Sequence, residues 1–461
     1  MKTFRLFVLF ACCLIVSNAV YGQQQVAGST TTRILTLEDC LKIAAGENLD
    51  VQSALARVNG AAADLKTAQG QYLPTASGSL GYGRSIPLSN TQTAFVGGIP
   101  ITQEIDAVRL NVFNASVDIG YNAFDFFQRE NTISQRTHTF EAVNQNVAIA
   151  RQRALFNVRN QYLAVLRAKQ VVNVRREDLE VGRKQLERIK AQQQAGVVAI
   201  AAVFAQEADL GTRELNFAQA ENDLETAKGT LLTTLGMNPG LAIDISETGI
   251  KTEVSQEELA LFRTQYTSQK VVMDQAFAKR IDRSAANETV LASEAGLAAA
   301  KASYLPTVGI GAGWSWQNFQ ISGFENSRPF IGGRISFNIF DGFQRDQSVQ
   351  NVQVQLTQNQ IQLRQTEQRI AADVQNAFIQ LNASEKNLDI TARALKAAQQ
   401  NFEAAEERFK VGAANILDLT TANANLATAK INRINAQYNY LGAQYQMKFA
   451  LGILDEQGST K

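Results

Sequence analysis

Between Tyr304 and Arg345 the hydrophobic period of the chain changes twice. A helical pattern stops at Tyr304-Leu305-Pro306, where the proline forbids another helical turn. From Thr307 to Trp316 the apolar residues alternate. Val308, Ile310, Ala312, Trp314 and Trp316 fall on one face, and Thr307, Gly309, Gly311, Gly313 and Ser315 on the other. After a polar loop over 317–327 the alternation resumes with Ile331, Gly333, Ile335, Phe337 and Ile339, and a helical pattern returns after Phe340-Asp341. A period of two held for about ten residues, twice, predicts a β-hairpin with one apolar face. Strands of roughly that length cross a bilayer at a tilt.

The same unit stands earlier in the chain. Tyr72-Leu73-Pro74-Thr75 returns as Tyr304-Leu305-Pro306-Thr307. Phe124-Asp125-Phe126-Phe127-Gln128-Arg129 returns, at a slightly shorter step, as Phe340-Asp341-Gly342-Phe343-Gln344-Arg345. Leu235-Gly236-Met237 returns by that same shorter step as Leu451-Gly452-Ile453. The first copy is therefore longer between its Leu-Pro and Phe-Asp landmarks, and the excess falls in its hairpin. The strands of that hairpin carry Ala76, Gly78, Leu80 and Tyr82, then Phe113, Ala115, Val117, Ile119 and Tyr121, joined by a long Gly/Thr/Gln-rich loop. The expectation is a tandem duplication. The first repeat covers 36–240, with a strand hairpin over 75–124 and a long helix hairpin over 128–236. The second covers 256–454, with a leading helix, a strand hairpin over 307–340 and a long helix hairpin over 343–452.

The long segments step by sevens. Val158, Val165, Val172, Leu179 and Leu186 form one stripe, and Val203, Leu210, Phe217, Leu224 and Leu231 its partner. In the second copy Val374, Leu381, Leu388, Leu395, Phe402 and Phe409 are answered by Leu417, Ala424, Ile431, Tyr438 and Tyr445. Heptads sustained this long predict coiled-coil packing. A proline-free run from Gln128 to Gln194 makes a helix about 100 Å long at 1.5 Å per residue. Gly196 and Gly412 end the first helix of each pair in a short turn. Thr36, followed by Glu38 and Asp39, marks a helix start.

Residues 1–22 read as a secretory signal peptide: Lys2 and Arg5, an apolar run from Leu6 to Val16, and Ala19 or Gly22 at the cleavage point. An anchor helix and lipidation at Cys12 or Cys13 are the competing readings. Removal of this segment leaves only Cys40, which excludes an intrachain disulfide. A net charge of +1 gives no electrostatic case for nucleic acid or a polybasic membrane anchor.

Four membrane-length strands cannot close a barrel, and an open sheet edge in lipid leaves backbone groups unpaired at several kcal/mol each. Closure therefore calls on further copies: two give eight strands and a filled interior, three give twelve and a lumen. The helices emerging from one end continue that barrel as a hollow cylinder.

The opening helix over Leu37–Ala44, both Leu-Pro helix-to-strand junctions, both Phe-Asp strand-to-helix junctions and the turn Arg408-Phe409-Lys410-Val411-Gly412-Ala413-Ala414-Asn415-Ile416-Leu417-Asp418 together resemble the TolC family of outer-membrane efflux proteins. The resemblance implies a mixed α/β membrane protein: a trimeric twelve-stranded barrel, four strands per chain, continued by a periplasmic coiled-coil tunnel. It also implies a location in the outer membrane of a Gram-negative-type bacterium. The implied function is the exit duct of a tripartite efflux pump, conducting small molecules passively. The implied partners are two further copies, outer-membrane lipid, a periplasmic adaptor (membrane fusion protein) and an inner-membrane RND or ABC transporter. The tips at Gly196-Val197 and Val411-Gly412-Ala413 are then the adaptor-docking residues. Asp418 and Phe409 mark the pore constriction, Asp418 as one of three symmetry-related carboxylates. The chain departs from well-known relatives in carrying Thr421, Ala414 and Ala202 where they carry an acid, an Arg and an acid. The expectation is that apolar packing around Phe409 takes the place of those links.

Two other functions within reach of the sequence are the exit duct of a type I protein secretion system and a secreted coiled-coil structural protein. A secreted enzyme is disfavoured because no Ser/His, Cys/His or metal constellation is present, and no cofactor is implied. His138, the single histidine, reads as a solvated helix position. Trp314 and Trp316 suit either a membrane interface or barrel packing.

Overall fold

The computed structural model describes residues 33–85, 90–105, 110–248, 250, 269–321 and 326–454. The expected signal peptide and the start of the second repeat at 256 lie outside them. Eight helices are described: α1 Leu37–Glu47, α2 Leu49–Gly70, α3 Gln128–Gln194, α4 Ile200–Thr234, α5 Gln269–Lys279, α6 Ile281–Ala302, α7 Gln344–Lys410 and α8 Ile416–Ala450. The strands are β1 Arg33–Leu35, β2 Thr75–Ser85, β3 Asn90–Val96, β4 Ile99–Ile105, β5 Leu110–Phe124, β6 Ile243–Ile245, β7 Thr307–Asn318 and β8 Ser327–Ser336. Both ends of α5 and α6 are offset from those of α1 and α2 by the step that separates Tyr304 from Tyr72. Both ends of α7 and α8 are offset from those of α3 and α4 by the step that separates Phe340 from Phe124. Backbone conformation repeats at this second step. The left-handed residues Phe127, Gly196 and Gly236 recur as Phe343, Gly412 and Gly452.

The sheet runs in the order β2-β5-β7-β8, every pair antiparallel. The two hairpins join through β5 and β7, with a register shift between Asn122 and Phe124. Two expectations need correction. The long loop of the first hairpin holds a second hairpin, β3 with β4, turning at Gly97-Gly98 with φ of +62° and +82°. Two successive positive φ values are what a tight hairpin turn demands and what glycine supplies freely. In the second hairpin β8 begins at Ser327 and stops at Ser336, so Phe337 and Ile339 lie beyond it.

Helices α3 and α7, 67 residues each, run the length of the helical body. Nearer the sheet α2 packs on α3, α3 on α6 and α6 on α7. Farther away α4 packs on α3, α3 on α8 and α8 on α7. The shorter helices meet end to end. Asn48, N-cap of α2, donates from Nδ2 to the Thr234 carbonyl at 2.9 Å, while its Oδ1 accepts from the N–H groups of Asp50 and Val51. At the equivalent joint Arg280 reaches the Ala450 carbonyl at 3.5 Å and is held by Asp282 at 2.6 Å and Asp373 at 3.2 Å. Each joint thus satisfies a carbonyl that a helix end leaves open.

A side layer of α1, β1 and β6 covers one face of α3. β1 pairs in parallel with β6, and Leu35, Leu41 and Ile245 are buried against Leu155, Val158, Tyr162 and Leu231. The Tyr162 hydroxyl donates to the Ser246 carbonyl. Each such large apolar side chain stabilises the fold by about 2 kcal/mol through burial. α1 starts in a capping box, Thr36 Oγ1 accepting from the Asp39 N–H and Asp39 accepting from the Thr36 N–H. Cys40 is buried in this layer, and burial pushes its thiol up to about 12.

One buried carboxylate ties the two helix hairpins together. Asp178 on α3 accepts from Arg213 of α4 and, at 2.7 Å, from Asn423 of α8. Gly182 makes room for the arginine, since a Cβ there would sit 2.6 Å from Arg213 Cδ. Burial raises the Asp178 carboxyl above its ordinary range despite Arg213 and Asn423.

Candidate functional site

The four-stranded sheet is two-faced over its central rows. Register aligns Leu80, Ala115 and Trp316 in one row, Gly78, Val117, Trp314 and Pro329 in the next, and Ala76, Ile119, Ala312 and Ile331 in the third. This apolar face is open: Leu80 is 89% exposed and Ile331 83%. The other face aligns Ser79, Ser116 and Ser315, then Ser77, Asp118 and Gly313. Ser79 and Ser116 are hydrogen-bonded at 3.0 Å, and Ser116 donates to Asp118 at 2.8 Å. Phe330 lies over Gly313 on this polar face, where a Cβ would come within 2.6 Å of its ring. Trp314 and Trp316 belong to the apolar face and are half-buried by neighbouring strands. Among the described residues β2 and β8 each have one partner strand, which leaves an open edge on both sides. Among the described residues no helix is long and apolar enough to cross a membrane. The exposed apolar face of this sheet runs over the central rows of all four strands.

Each strand-to-helix junction is built around an arginine. Arg129 lies over the Tyr72 ring at 4.4 Å and donates from Nη1 to the carbonyls of Asn122 and Gln71. Arg345 lies over Tyr304 at 5.2 Å and binds Asp341 at 2.5 Å. Phe127 and Phe343, each left-handed, set the angle at which the strand enters the helix.

The far ends of the helix pairs are formed alike. At the first, the Val197 N–H bonds the Gln192 carbonyl and the Gly196 N–H that of Gln193. At the second, Ala413 bonds Arg408 and Gly412 bonds Phe409. With φ of +76° and +75° at the glycines, these are Schellman ends. Val197 and Val411 are 70% and 76% exposed, so each turn presents an apolar side chain at the limit of the body. Phe409 is half-buried with the Arg188 guanidinium 5.9 Å from its ring, a contact between the two hairpins. Asp418 is exposed on the first turn of α8, where its N–H donates to the capping Asn415 side chain at 2.8 Å. The two candidate constriction residues thus share one end of the body with the tips, and among the described residues no hydrogen bond joins them.

His138 is a correction. It faces α6, and Nδ1 lies 2.7 Å from Glu288 Oε2, so it bridges two helices instead of standing in solvent. Among the described residues no group of three His, Cys, Asp or Glu side chains is placed to hold a metal ion. Sequence reasoning misses the Asp178 tie and the joints at Asn48 and Arg280. The repeat step, which pairs Asn48 with Arg280, is the one signal that could find the joints.

Known proteins of the same build bear on these observations. The chain is 23% identical over 422 residues to outer membrane efflux protein BepC of Brucella suis, covering 91% of this chain and 85% of that protein. It superposes on the CmeC outer membrane channel of Campylobacter jejuni with a TM-score of 0.74 at 17% identity, covering 97% and 95% of the two chains. It superposes on the outer membrane protein VceC of Vibrio cholerae with a TM-score of 0.74 at 18% identity, covering 90% and 96%. The family profile described as outer membrane efflux protein matches residues 40–237 and 272–453, most of both repeating halves, and the chain belongs to that family.

Proposed function

We propose that three copies of this chain close into a twelve-stranded barrel continued by a helical tunnel, the exit duct of a tripartite efflux pump. Family membership makes the chain a passive, non-catalytic outer-membrane conduit. The reading adds the assembly and the partners. The observation that carries it is the sheet: an apolar face and a mainly polar face over its central rows, and, among the described residues, two open edges, β2 and β8. Unpaired edge groups in lipid cost several kcal/mol each, and pairing β8 of one copy with β2 of the next removes them. Twelve strands leave a lumen lined by the serine and glycine face.

In this reading 1–22 is the signal peptide, and 36–240 and 256–454 are the two repeats of one ancestral unit. The turns at Gly196-Val197 and Val411-Gly412-Ala413 receive a periplasmic adaptor, which links the duct to an inner-membrane RND or ABC transporter. Asp418 and Phe409 narrow the inner end, and the cargo is small molecules. The test is native mass in detergent after extraction from outer membranes. A complex of three chains is expected; a stable monomer overturns the duct.

A further inference from the structure

One face of the helical body collects arginines that lack a carboxylate partner among the described residues. Near the sheet, a cavity of about 670 Å³ is lined by residues from α2, α3, α6 and α7 together. Those helices pack in a row, so a single cavity touching the first and the last lies on the concave side of that row. Arg57 of α2, Arg153 of α3 and Arg369 of α7 all line it, and all three are exposed. Among the described residues none of the three has a hydrogen-bond or ion-pair partner. Of the two carboxylates on the cavity, Asp282 is already bound by Arg280 at 2.6 Å, which leaves Asp50 against three guanidinium groups.

The stripe continues along the same helices. On α3, Val143, Asn146, Ala150 and Arg153 line this cavity, and Asn160, Ala164 and Arg167, at the same heptad spacing, line a second one of about 420 Å³. The second cavity carries amides from α7 and α8 and no carboxylate. The side of α3 that packs on α1, β1 and β6, through Val158, Tyr162 and Val165, is a different one. In a closed cylinder the concave side is the inside.

We propose that Arg57, Arg153 and Arg369 form an oxyanion-binding belt on the inner wall of the duct, which gathers solutes bearing carboxylate, phosphate or sulfonate groups. Guanidinium groups offer paired donors that match such oxygens, and a cleft lined by one sign of charge raises the local concentration of the opposite ion. Three copies place nine of these arginines around one axis. The proposal rests on the duct reading for the location of the wall; the cavity and its charges stand in the single chain.

The test is equilibrium binding of pyranine, a trisulfonated pyrene, to the purified full-length protein in detergent, read by fluorescence anisotropy. The cationic dye ethidium serves as control. Wild type binds pyranine with an affinity that falls as salt rises, and Arg57→Gln/Arg153→Gln/Arg369→Gln weakens it by about tenfold or more without strengthening by salt removal. Arg57→Lys/Arg153→Lys/Arg369→Lys keeps salt-dependent binding at an affinity between those of wild type and the Gln variant, which separates charge from helix packing. Mass in detergent and helix content establish that the Gln variant is assembled; should it fail to assemble, Arg57→Gln and Arg369→Gln are read singly. Equal pyranine affinity in wild type and the assembled Gln variants overturns the belt. Ion conductance of wild type in planar bilayers is measured alongside. Its absence counts against the duct, whatever pyranine does.

Discussion

The Arg129 guanidinium sits 4.4 Å from the centroid of the Tyr72 ring, and Arg345 repeats the arrangement over Tyr304 at 5.2 Å. Around this shared contact the two junctions differ in burial. Arg129 and Asp125 are each 6% exposed, with 3.9 Å between Nε and Oδ2, whereas Arg345 and Asp341 are 16% and 19% exposed and 2.5 Å apart. The first junction depends on backbone carbonyls for its hydrogen bonds, the second on a carboxylate.

Arg129→Ala leaves Asp125 buried without a counter-charge and takes the donor from the Asn122 and Gln71 carbonyls. Breaking a buried pair from one side costs about 3–5 kcal/mol. Arg345→Ala acts on a wetter pair and costs about 1–2 kcal/mol. Thermal unfolding followed by far-ultraviolet dichroism reads both. Equal losses would show that burial does not decide the strength of these junctions.

The left-handed glycines give a second comparison. Gly412 and Gly236 have φ of +75° and +77°, yet a Cβ at Gly412 meets nothing within 4 Å while one at Gly236 runs into the Glu47 carbonyl. Gly412→Ala therefore pays backbone strain alone, about 1–2 kcal/mol. Gly236→Ala adds a clash at the joint between α4 and α2 and loses more. In the duct reading a bulky residue at Gly412 also weakens adaptor capture, and cross-linking from Val197 and Ala413 reports that separately. Adaptor capture from neither position would remove the docking role of the tips.

Acid should loosen the joint between α8 and α6. Burial on its own raises the Asp282 carboxyl, but hydrogen bonds and charge from Arg280 outweigh it and hold the group below its ordinary value. A carboxyl depressed in the folded state contributes stability above its unfolded value, about 4, and loses it as pH falls through the lower folded value. Asp282→Asn therefore costs about 2 kcal/mol at neutral pH and flattens the decline in stability below about pH 4. An unaltered acid limb in Asp282→Asn would assign that decline to other carboxyls.

Much of the fold is written in the sequence because it rests on periodicity and punctuation. Heptads, the two Leu-Pro stops and the glycines at 196 and 412 each act locally, and α3, α7, β7 and the tips lie where those signals put them. β1 and β6 are three residues each, too short for any period to register, and exist through packing on Tyr162. The β3–β4 hairpin did carry a signal, Gly97-Gly98 between Val96 and Ile99, hidden by polar neighbours. Tertiary ties such as His138 with Glu288, or Asp178 with Arg213 and Asn423, join residues far apart in the chain. A heptad marks a buried stripe but not which polar residue crosses it. The arginine wall was unreadable for a related reason. Arg57, Arg153 and Arg369 are ordinary surface residues on three separate helices until the curvature of the row brings them to one cavity.

In the duct reading, Asp418 and the arginines at 57, 153 and 369 carry opposite charge at different depths of one passage. Asp418 is exposed beside the second tip, and its place on the first turn of α8 already favours a carboxylate by about 0.5 kcal/mol through the helix dipole. If three copies ring the axis there, they draw cations into the narrowest part, while the arginines farther along draw anions. The two features then push ion selectivity in opposite directions. In planar bilayers with a salt gradient, Asp418→Asn moves the reversal potential toward that of chloride, and the Arg57, Arg153, Arg369 Gln variant moves it toward that of potassium. Open frequency changes little in Asp418→Asn, because the exposed Asp418 carboxylate makes no ion pair among the described residues, while Phe409 packs beneath Arg188. A reversal potential unmoved by Asp418→Asn would make Asp418 a helix-start residue only, and the constriction would then rest on Phe409.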